Sequence, residues 1–267
     1  MRKTAKISLP NWAFNIALKI AELRSAHFQN RFRNKKIISF HKNELYIEHI
    51  ESIMGYLGDI ACAIFLNIDP KVVLKEMVYS TDCLTHRDEC DVFFNGCSID
   101  VKLEDYDGYQ DKVINNTIKK NEPYGCRLIN KAQWEQNSKN IDIYVFGAFD
   151  YNFSDNFKLH NVKNVNLIGF IEKKDVEKYE FSDTTPAGRK LPTETKIIPN
   201  DDLKDINLLK NIQNHNRTFA YNNCNIKKHE CIVIINELEK IWNQENIEEI
   251  KNKEGKAVDI PEQQKNN

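Results

Sequence analysis

The stretch Asp91–Glu104, DVFFNGCSIDVKLE, predicts a tight β-hairpin. Its centre, Asn95-Gly96, accepts the positive φ angles of a type I′ turn, and the flanking residues are rich in β-branched and aromatic side chains. A two-residue loop fixes the register and is expected to set Asp91 opposite Asp100. Directly opposed residues have Cβ atoms about 4.5–5.5 Å apart.

Two carboxylates at that distance repel each other unless a proton, an outside cation or a shared metal ion offsets the repulsion. Side chains alternate along a strand, so Asp100, Lys102 and Glu104 share one face and the opposite face is apolar. The hairpin therefore presents Asp91, Asp100 and Lys102 as one polar cluster. A hard divalent ion such as Mg²⁺ is often held by one or two carboxylates, water and substrate phosphate.

This arrangement, Asp91 followed after a short hairpin by Asp100-Val101-Lys102, resembles the signature of the PD-(D/E)XK, or restriction-endonuclease-like, nuclease superfamily. The resemblance covers roughly residues 44–171. MGYLGDIACAIFLNID is similar to the helix before the core sheet, and NIDIYVFGAFD and VNLIGFIEKKDV are similar to the next two core strands. Two positions depart from the pattern: Cys90 replaces a proline, and Asp59 stands where members often carry glutamate.

The resemblance implies an α/β fold with a restriction-endonuclease-like core, in which helices flank a central mixed β-sheet. It also implies a metal-dependent endonuclease or exonuclease that hydrolyses phosphodiester bonds, with DNA expected before RNA. Asp91, Asp100 and Lys102 are then the expected catalytic residues, with Lys102 orienting the attacking water. Asp91, Asp100, the Val101 carbonyl and Asp59 are the expected ligands of Mg²⁺ or Mn²⁺.

Charge is distributed unevenly along the chain. The whole chain carries a net charge of −1, whereas residues 1–43 hold ten lysines and arginines against a single acid, Glu22. Such a block favours polyanions, so nucleic acid is the expected partner, although a solvated helix face also accounts for it. The sequence is also compatible with a homodimer.

Other features bear on the compartment. No run of 18 apolar residues is present, and the basic N-terminus lacks an apolar signal-peptide core. Seven cysteines form no compact framework, which favours reduced thiols. We therefore expect no membrane partner, no secretion, and a cytoplasmic, nucleoid or nuclear location.

The chain is predicted to divide into a basic helical N-terminal extension (1–43), a nuclease-like α/β core (44–212), a C-terminal helical extension (213–250) and a disordered tail (251–267). Two glycines, Gly55 and Gly58, predict that the second helix approaches another element closely. Residues 181–199, FSDTTPAGRKLPTETKIIP, are predicted to form a loop. Periodicity predicts helices at 10–26, 44–66, 173–179 and 232–242, and strands at 72–79, 141–149 and 165–171.

Several alternatives stay open at this point. Lys102 could simply neutralise one aspartate of a salt-bridged hairpin, a contact that contributes about 0–1 kcal/mol at a surface. The chain could be a catalytically inactive nucleic-acid-binding or assembly protein on a nuclease-like scaffold, or a phosphohydrolase of small nucleotides. Two further groups of candidate metal ligands lack common zinc spacings. One group is Cys83, Cys90 and Cys97, and the other is His215, Cys224, His229 and Cys231.

Overall fold

The computed structural model describes residues 3–28, 50–80, 90–104, 109–149, 162–213 and 235–244. Eight strands are described: β1 (Ala5–Ser8), β2 (Val92–Phe94), β3 (Cys97–Glu104), β4 (Cys126–Asn130), β5 (Ile143–Phe149), β6 (Asn164–Glu172), β7 (Phe181–Thr184) and β8 (Lys190–Pro199). The helices are α1 (Ala13–Phe28), α2 (Ile50–Phe65), α3 (Pro70–Ser80), α4 (Gln110–Ile114), α5 (Lys131–Asn137), α6 (Lys173–Val176) and α7 (235–244), with 3₁₀ turns at Asn200–Asp202 and Ile206–Asn211.

The chain has a mixed α/β fold built on two sheets. The central sheet has five strands in the order β1-β6-β5-β3-β2, with β3 and β5 parallel and the other neighbours antiparallel. A parallel pair needs a crossover connection, which here contains α4, β4 and α5. The second sheet is antiparallel, in the order β4-β8-β7.

The inner strands of the central sheet are buried on both faces. Helices α1, α2 and α7 contribute to the larger apolar core, which also includes Ile99 and Val101 of β3. A second core covers the opposite face and joins Tyr144 and Phe146 of β5 to Ile129 of β4 in the small sheet. Near-continuous burial along β5 and β6 follows from this sandwich and explains their largely apolar sequences.

Helix α2 packs closely on strand β3 at one glycine. A Cβ atom at Gly58 would lie 2.9 Å from Cγ of Leu103 and 3.1 Å from Cγ1 of Val101, closer than carbon atoms normally approach. The close approach predicted from the glycines is therefore confirmed at Gly58. A Cβ atom at Gly55 would meet nothing within 4 Å, so that glycine has no such contact.

The predicted strand at 72–79 is wrong, because these residues lie within α3. The carboxylate Oδ1 of Asp69 accepts the N–H of Lys71 at 2.9 Å, and Pro70 occupies the first helical position. Both features start a helix, and they outweigh the strand preference of the valines that follow.

The predicted loop at 181–199 is also wrong, because β7 and β8 form a hairpin there. Its turn closes where the Thr185 N–H donates to the Arg189 carbonyl at 2.9 Å and Gly188 adopts a φ of 80°. Strand β8 pairs along its other edge with β4, about seventy residues earlier in the chain. Backbone pairing over such a separation leaves no mark in local composition.

Most other elements lie where the sequence placed them. Strands β5 and β6 match the two predicted core strands within two residues, and helix α1 begins later than predicted. Residues 44–49 and the tail 251–267 lie outside the described residues. The predicted division into extensions and core stays a prediction, and we note that β1 joins the central sheet.

Residues far apart in the chain meet on α3. The rings of Trp12 and Trp242 are 6.0 Å apart in an edge-to-face arrangement, and the ammonium of Lys71 lies 5.4 Å from the Trp242 ring. Lys75 and Glu239 form a salt bridge of 2.7 Å. Within the described ranges no helix is long and apolar enough to cross a membrane.

The two glycines of α2 give a matched pair of stability tests. We expect Gly58→Ala to lower the free energy of unfolding by about 1–3 kcal/mol, because the added methyl group forces α2 away from β3. Gly55→Ala should raise it by up to about 1 kcal/mol, because alanine favours the helix and meets open space. Urea unfolding followed by circular dichroism measures both; equal effects of the two substitutions would contradict the packing described.

Candidate active site

The hairpin at residues 91–104 has the predicted geometry. Asn95 and Gly96 have φ angles of 48° and 81°, as a type I′ turn requires. The paired residues are Phe94 with Cys97, Phe93 with Ser98, and Val92 with Ile99. The register predicted from the two-residue loop is therefore confirmed as far as the Val92–Ile99 pair.

Asp91, the residue before Val92 in the chain, is hydrogen-bonded to strand β3. Its backbone N–H donates to the Ile99 carbonyl at 2.9 Å, and its carboxylate Oδ2 accepts the Val101 N–H at 2.6 Å. Both partners are backbone groups on either side of Asp100. The Asp91 carboxylate thus lies against the backbone beside Asp100, in place of the simple side-by-side pair that the register predicts. A charged acceptor makes this hydrogen bond stronger than a neutral one.

Lys102 and Asp100 form a close ion pair along β3. The ammonium Nζ of Lys102 lies 2.7 Å from Oδ2 and 2.9 Å from Oδ1 of Asp100. The two side chains are only 22% and 11% exposed, so solvent screens this pair less than a surface pair. The salt bridge considered as an alternative from the sequence is therefore present.

The charge of Lys102 is set by three carboxylates. Burial alone lowers the pKa of the Lys102 ammonium, but the negative charges of Asp100, Asp91 and Asp59, with the hydrogen bond to Asp100, raise it above its ordinary value. Lys102 is therefore firmly protonated at neutral pH. The three aspartates of the predicted site thus all act on the charge of this one ammonium.

Asp59 reaches the cluster from helix α2. The residue is 4% exposed and follows Gly58, the point of closest approach between α2 and β3. Its charge also acts on Cys62, one helical turn further along. Burial, followed by the charges of Asp59 and Asp91, raises the pKa of the Cys62 thiol. Asp59 and Asp91 therefore both act on a buried, neutral thiol.

Tyr144 is a neighbour that the sequence did not single out. It lies on β5 directly beside Asp100 in the parallel ladder, and its ring stacks on Trp134 with centroids 6.1 Å apart. Burial and then the charge of Asp100 raise the pKa of the Tyr144 phenol. The phenol is therefore a neutral group on the same face as Asp100.

Arg127 is the second residue that sequence reasoning missed. It lies on β4 with 0% of its side chain exposed, and it forms a 2.9 Å ion pair with Glu104 at the end of β3. A single arginine within the apolar strand CRLIN signals a buried partner, but the sequence does not identify that partner.

The donor set fits a hard divalent ion held mainly by water. Carboxylate and carbonyl oxygens from Asp91, Asp100 and Val101 are the ligand type that Mg²⁺ and Mn²⁺ prefer. Within the described residues no group of three or more histidine, cysteine, aspartate or glutamate side chains is placed to hold a metal ion. An ion here would therefore rest on one or two carboxylates and compete with Lys102 for Asp100.

Two of the other candidate ligands from the sequence, Cys90 and Cys97, lie among the described residues. Neither forms a disulfide, and Cys97 is buried. Cys83 lies outside the described residues, as do His215, Cys224, His229 and Cys231. The proposal of a zinc site among these last four residues therefore stays untested.

Compared with protein-family models, curated proteins and solved structures, the chain matches none of them.

The raised pKa of Lys102 predicts an alkaline loss of stability. A group whose pKa is raised by folding stabilises the protein below its unfolded pKa, about 10.4 for lysine, and this contribution disappears as pH rises through the folded pKa. The difference in free energy of unfolding between the wild type and Lys102→Met should stay constant from about pH 7 to 10 and shrink above that.

Urea unfolding at a series of pH values measures this difference. Lys120→Met, which removes an exposed lysine, controls for the loss of one positive charge. A difference between wild type and Lys102→Met that stays flat through about pH 11 would show that the three aspartates do not hold the ammonium.

Proposed function

We propose that the chain is a metal-dependent nuclease of the PD-(D/E)XK type that hydrolyses phosphodiester bonds, with DNA as its preferred substrate. One observation carries the proposal: Asp91 and Lys102 both meet the Asp100 segment of β3. The Asp91 carboxylate accepts the Val101 N–H at 2.6 Å, and the Lys102 ammonium lies 2.7 Å from Asp100. The charge of Asp59 also acts on this ammonium. Clusters of this kind, with opposed charges held partly out of water, are characteristic of catalytic sites.

The order of elements supports the same proposal. Helix α2 precedes the β2–β3 hairpin, with α3 between them, and β5 and β6 then extend the same sheet. This is the order of helix, hairpin and two strands on which the resemblance to restriction-endonuclease-like nucleases rests. The parallel pairing of β3 with β5 also fixes the Asp100–Lys102 segment in the sheet, whereas the pairing of β3 with β2 ends at Ile99.

In the proposed mechanism Asp91 and Asp100 would hold Mg²⁺ or Mn²⁺, together with the Val101 carbonyl. Asp59 orients a water molecule from the side of α2. The bound divalent ion would supply Lewis acidity and lower the pKa of a coordinated water. The hydrogen bond from the Val101 N–H fixes the Asp91 carboxylate, so one of its oxygens is already oriented before any ion binds.

Lys102 has a separate role in this mechanism. Because its pKa is raised, it remains an ammonium and acts as a donor to the attacking water and to the phosphate, whose negative charge grows in the transition state. It does not serve as a general base at neutral pH, since it has no free lone pair there. The buried position strengthens its interaction with that charge.

Nucleic acid is the proposed partner because of the N-terminal segment. Residues 1–43 carry nine more basic than acidic residues, and this excess favours contact with a polyanion. The same stretch of sequence includes strand β1 and helix α1. Strand β1 belongs to the central sheet and helix α1 packs in its larger core, so residues 3–28 of the basic segment are part of the body that holds the cluster. Binding through this segment should weaken steeply as salt is added.

A second function has an observation in its favour. The Lys102 ammonium contacts both oxygens of Asp100, so an ion that binds Asp100 must displace or share that contact. The same ion pair would stabilise a nucleic-acid-binding or assembly protein that has the scaffold of a nuclease without the activity. Cleavage assays separate the two functions.

We expect the purified protein to cut labelled DNA with Mg²⁺ or Mn²⁺ and to stop when EDTA is added. Asp91→Ala, Asp100→Asn and Lys102→Ala should each lower the cleavage rate by about 100-fold or more, because each removes a group that acts on the reacting phosphate. Asp111→Asn and Lys120→Ala, at exposed positions of the same residue types, should cut like the wild type.

Binding of DNA without cleavage by the wild type, at any divalent ion tested, would support the inactive scaffold and reject the nuclease. Equal cleavage by all five variants would place the chemistry elsewhere in the chain. Circular dichroism of each variant confirms that the fold is retained.

The competition at Asp100 gives an independent prediction. Lys102→Met should bind Mg²⁺ at least about five-fold more tightly than the wild type, because at least about 1 kcal/mol of repulsion between two cations is removed. The Lys102→Met protein should nevertheless cleave DNA more slowly than the wild type. Isothermal titration calorimetry measures the affinity; an unchanged affinity would show that Lys102 and the ion do not share a carboxylate.

A further inference from the structure

Arg127 links the small sheet to the polar face of β3. Its guanidinium is fully buried, and its Nη1 donates to Oε2 of Glu104 at 2.9 Å. The Nε donates to Oδ1 of Asn200 at 2.8 Å, and the Nη2 donates to the Tyr124 carbonyl. A buried guanidinium is costly unless it is both paired and hydrogen-bonded, and here both conditions are met.

Glu104 has the same relation to Lys102 as Asp100 has. The three side chains lie on one face of β3, and each acid is two residues from the lysine, about 6.6 Å along the strand. The ammonium of Lys102 nevertheless lies on Asp100, at 2.7 and 2.9 Å, whereas the carboxylate of Glu104 lies on Arg127. Lys102 therefore lies between two acids on the strand but pairs with only one of them, Asp100.

We propose that Arg127 is a positioning residue that keeps Glu104 away from Lys102, so that the ammonium remains at Asp100. Without Arg127, the carboxylate of Glu104 would be a half-buried charge whose neighbouring cation on the strand is Lys102. The ammonium would then be divided between two acids. The effect on cleavage rests on the proposed nuclease function, whereas the choice of partner by Lys102 does not.

The geometry of arginine suits this role. Its planar fork carries five donors, which here engage an acid, an amide and a carbonyl from three different segments. Because Asn200 and Tyr124 fix the guanidinium independently of Glu104, its direction does not depend on the acid that it holds. The small sheet thus supplies the positive charge that binds Glu104 and leaves Asp100 as the partner of Lys102.

The sharpest test keeps Arg127 and changes only the acid. In Glu104→Asp the shorter side chain withdraws from Arg127 yet can still reach Lys102, as Asp100 does from the same spacing. Glu104→Gln retains the length and an oxygen acceptor for Arg127 but has no charge to attract the ammonium. A purely structural bridge predicts that aspartate, which keeps the charge, is tolerated at least as well as glutamine.

We expect the reverse order. Glu104→Gln should cut DNA within about threefold of the wild type, and Glu104→Asp should cut about tenfold more slowly, as expected when a hydrogen bond to a charged group is diverted. Crystal structures of both variants provide a readout that needs no activity. In the Glu104→Asp structure the Lys102 Nζ should move towards the shortened carboxylate, and in the Glu104→Gln structure it should stay on Asp100.

A compensating pair of substitutions tests Arg127 itself. Arg127→Met should divert Lys102 towards Glu104 and slow cleavage about tenfold, and adding Glu104→Gln to it should restore most of the rate, because the competing charge is gone. Should Arg127→Met not fold, the two Glu104 variants still decide the matter.

Two results would overturn the inference. One is a Lys102 ammonium that remains on Asp100 in the Glu104→Asp crystal structure. The other is a Glu104→Asp protein that cuts as well as Glu104→Gln. If the wild type itself does not cut DNA, the proposed function fails, and the position of Lys102 in the variant structures still decides the inference on its own.

Discussion

The structure depends on one buried charge, the ammonium of Lys102. It is largely buried, and three carboxylates from α2, from the start of the hairpin and from β3 compensate the cost of removing it from water. Each carboxylate arrives through a different structural constraint: the contact at Gly58 brings Asp59, the turn at Asn95-Gly96 brings Asp91, and strand alternation brings Asp100. Displacement of any of these elements would leave a charge partly buried and uncompensated.

The same ammonium links the two functions considered for the chain. As a partner of Asp100 it stabilises the hairpin, and as a donor beside a bound phosphate it would stabilise a transition state. The two roles demand different positions of one Nζ atom. A lysine that served both roles would have to exchange the carboxylate for the phosphate while it stayed charged, and here the ammonium lies 2.7 Å from Asp100.

The sequence predicted those features that depend on near neighbours in the chain. The Asn95-Gly96 turn determined the hairpin register, and the largely apolar runs of β5 and β6 identified buried strands. The prediction failed at β8, where pairing with the distant strand β4 decided the outcome. It also failed at residues 70–80, where two local signals conflict and the helix start at Asp69 and Pro70 outweighs the strand preference of the valines. The ion pair of Arg127 with Glu104 belongs to the same class as β8, because the docking of a second sheet creates it.

The buried thiol of Cys62 has a consequence for the chemistry that this region tolerates. Burial and the charges of Asp59 and Asp91 disfavour its thiolate, and the thiolate is the form that reacts with oxidants and alkylating agents. The Cys62 sulfur, which lies on helix α2 beside the acidic cluster, is therefore unreactive while the helix is docked. Oxidative damage at this sulfur becomes a risk only during local opening, so the folded packing itself protects the cluster from redox chemistry.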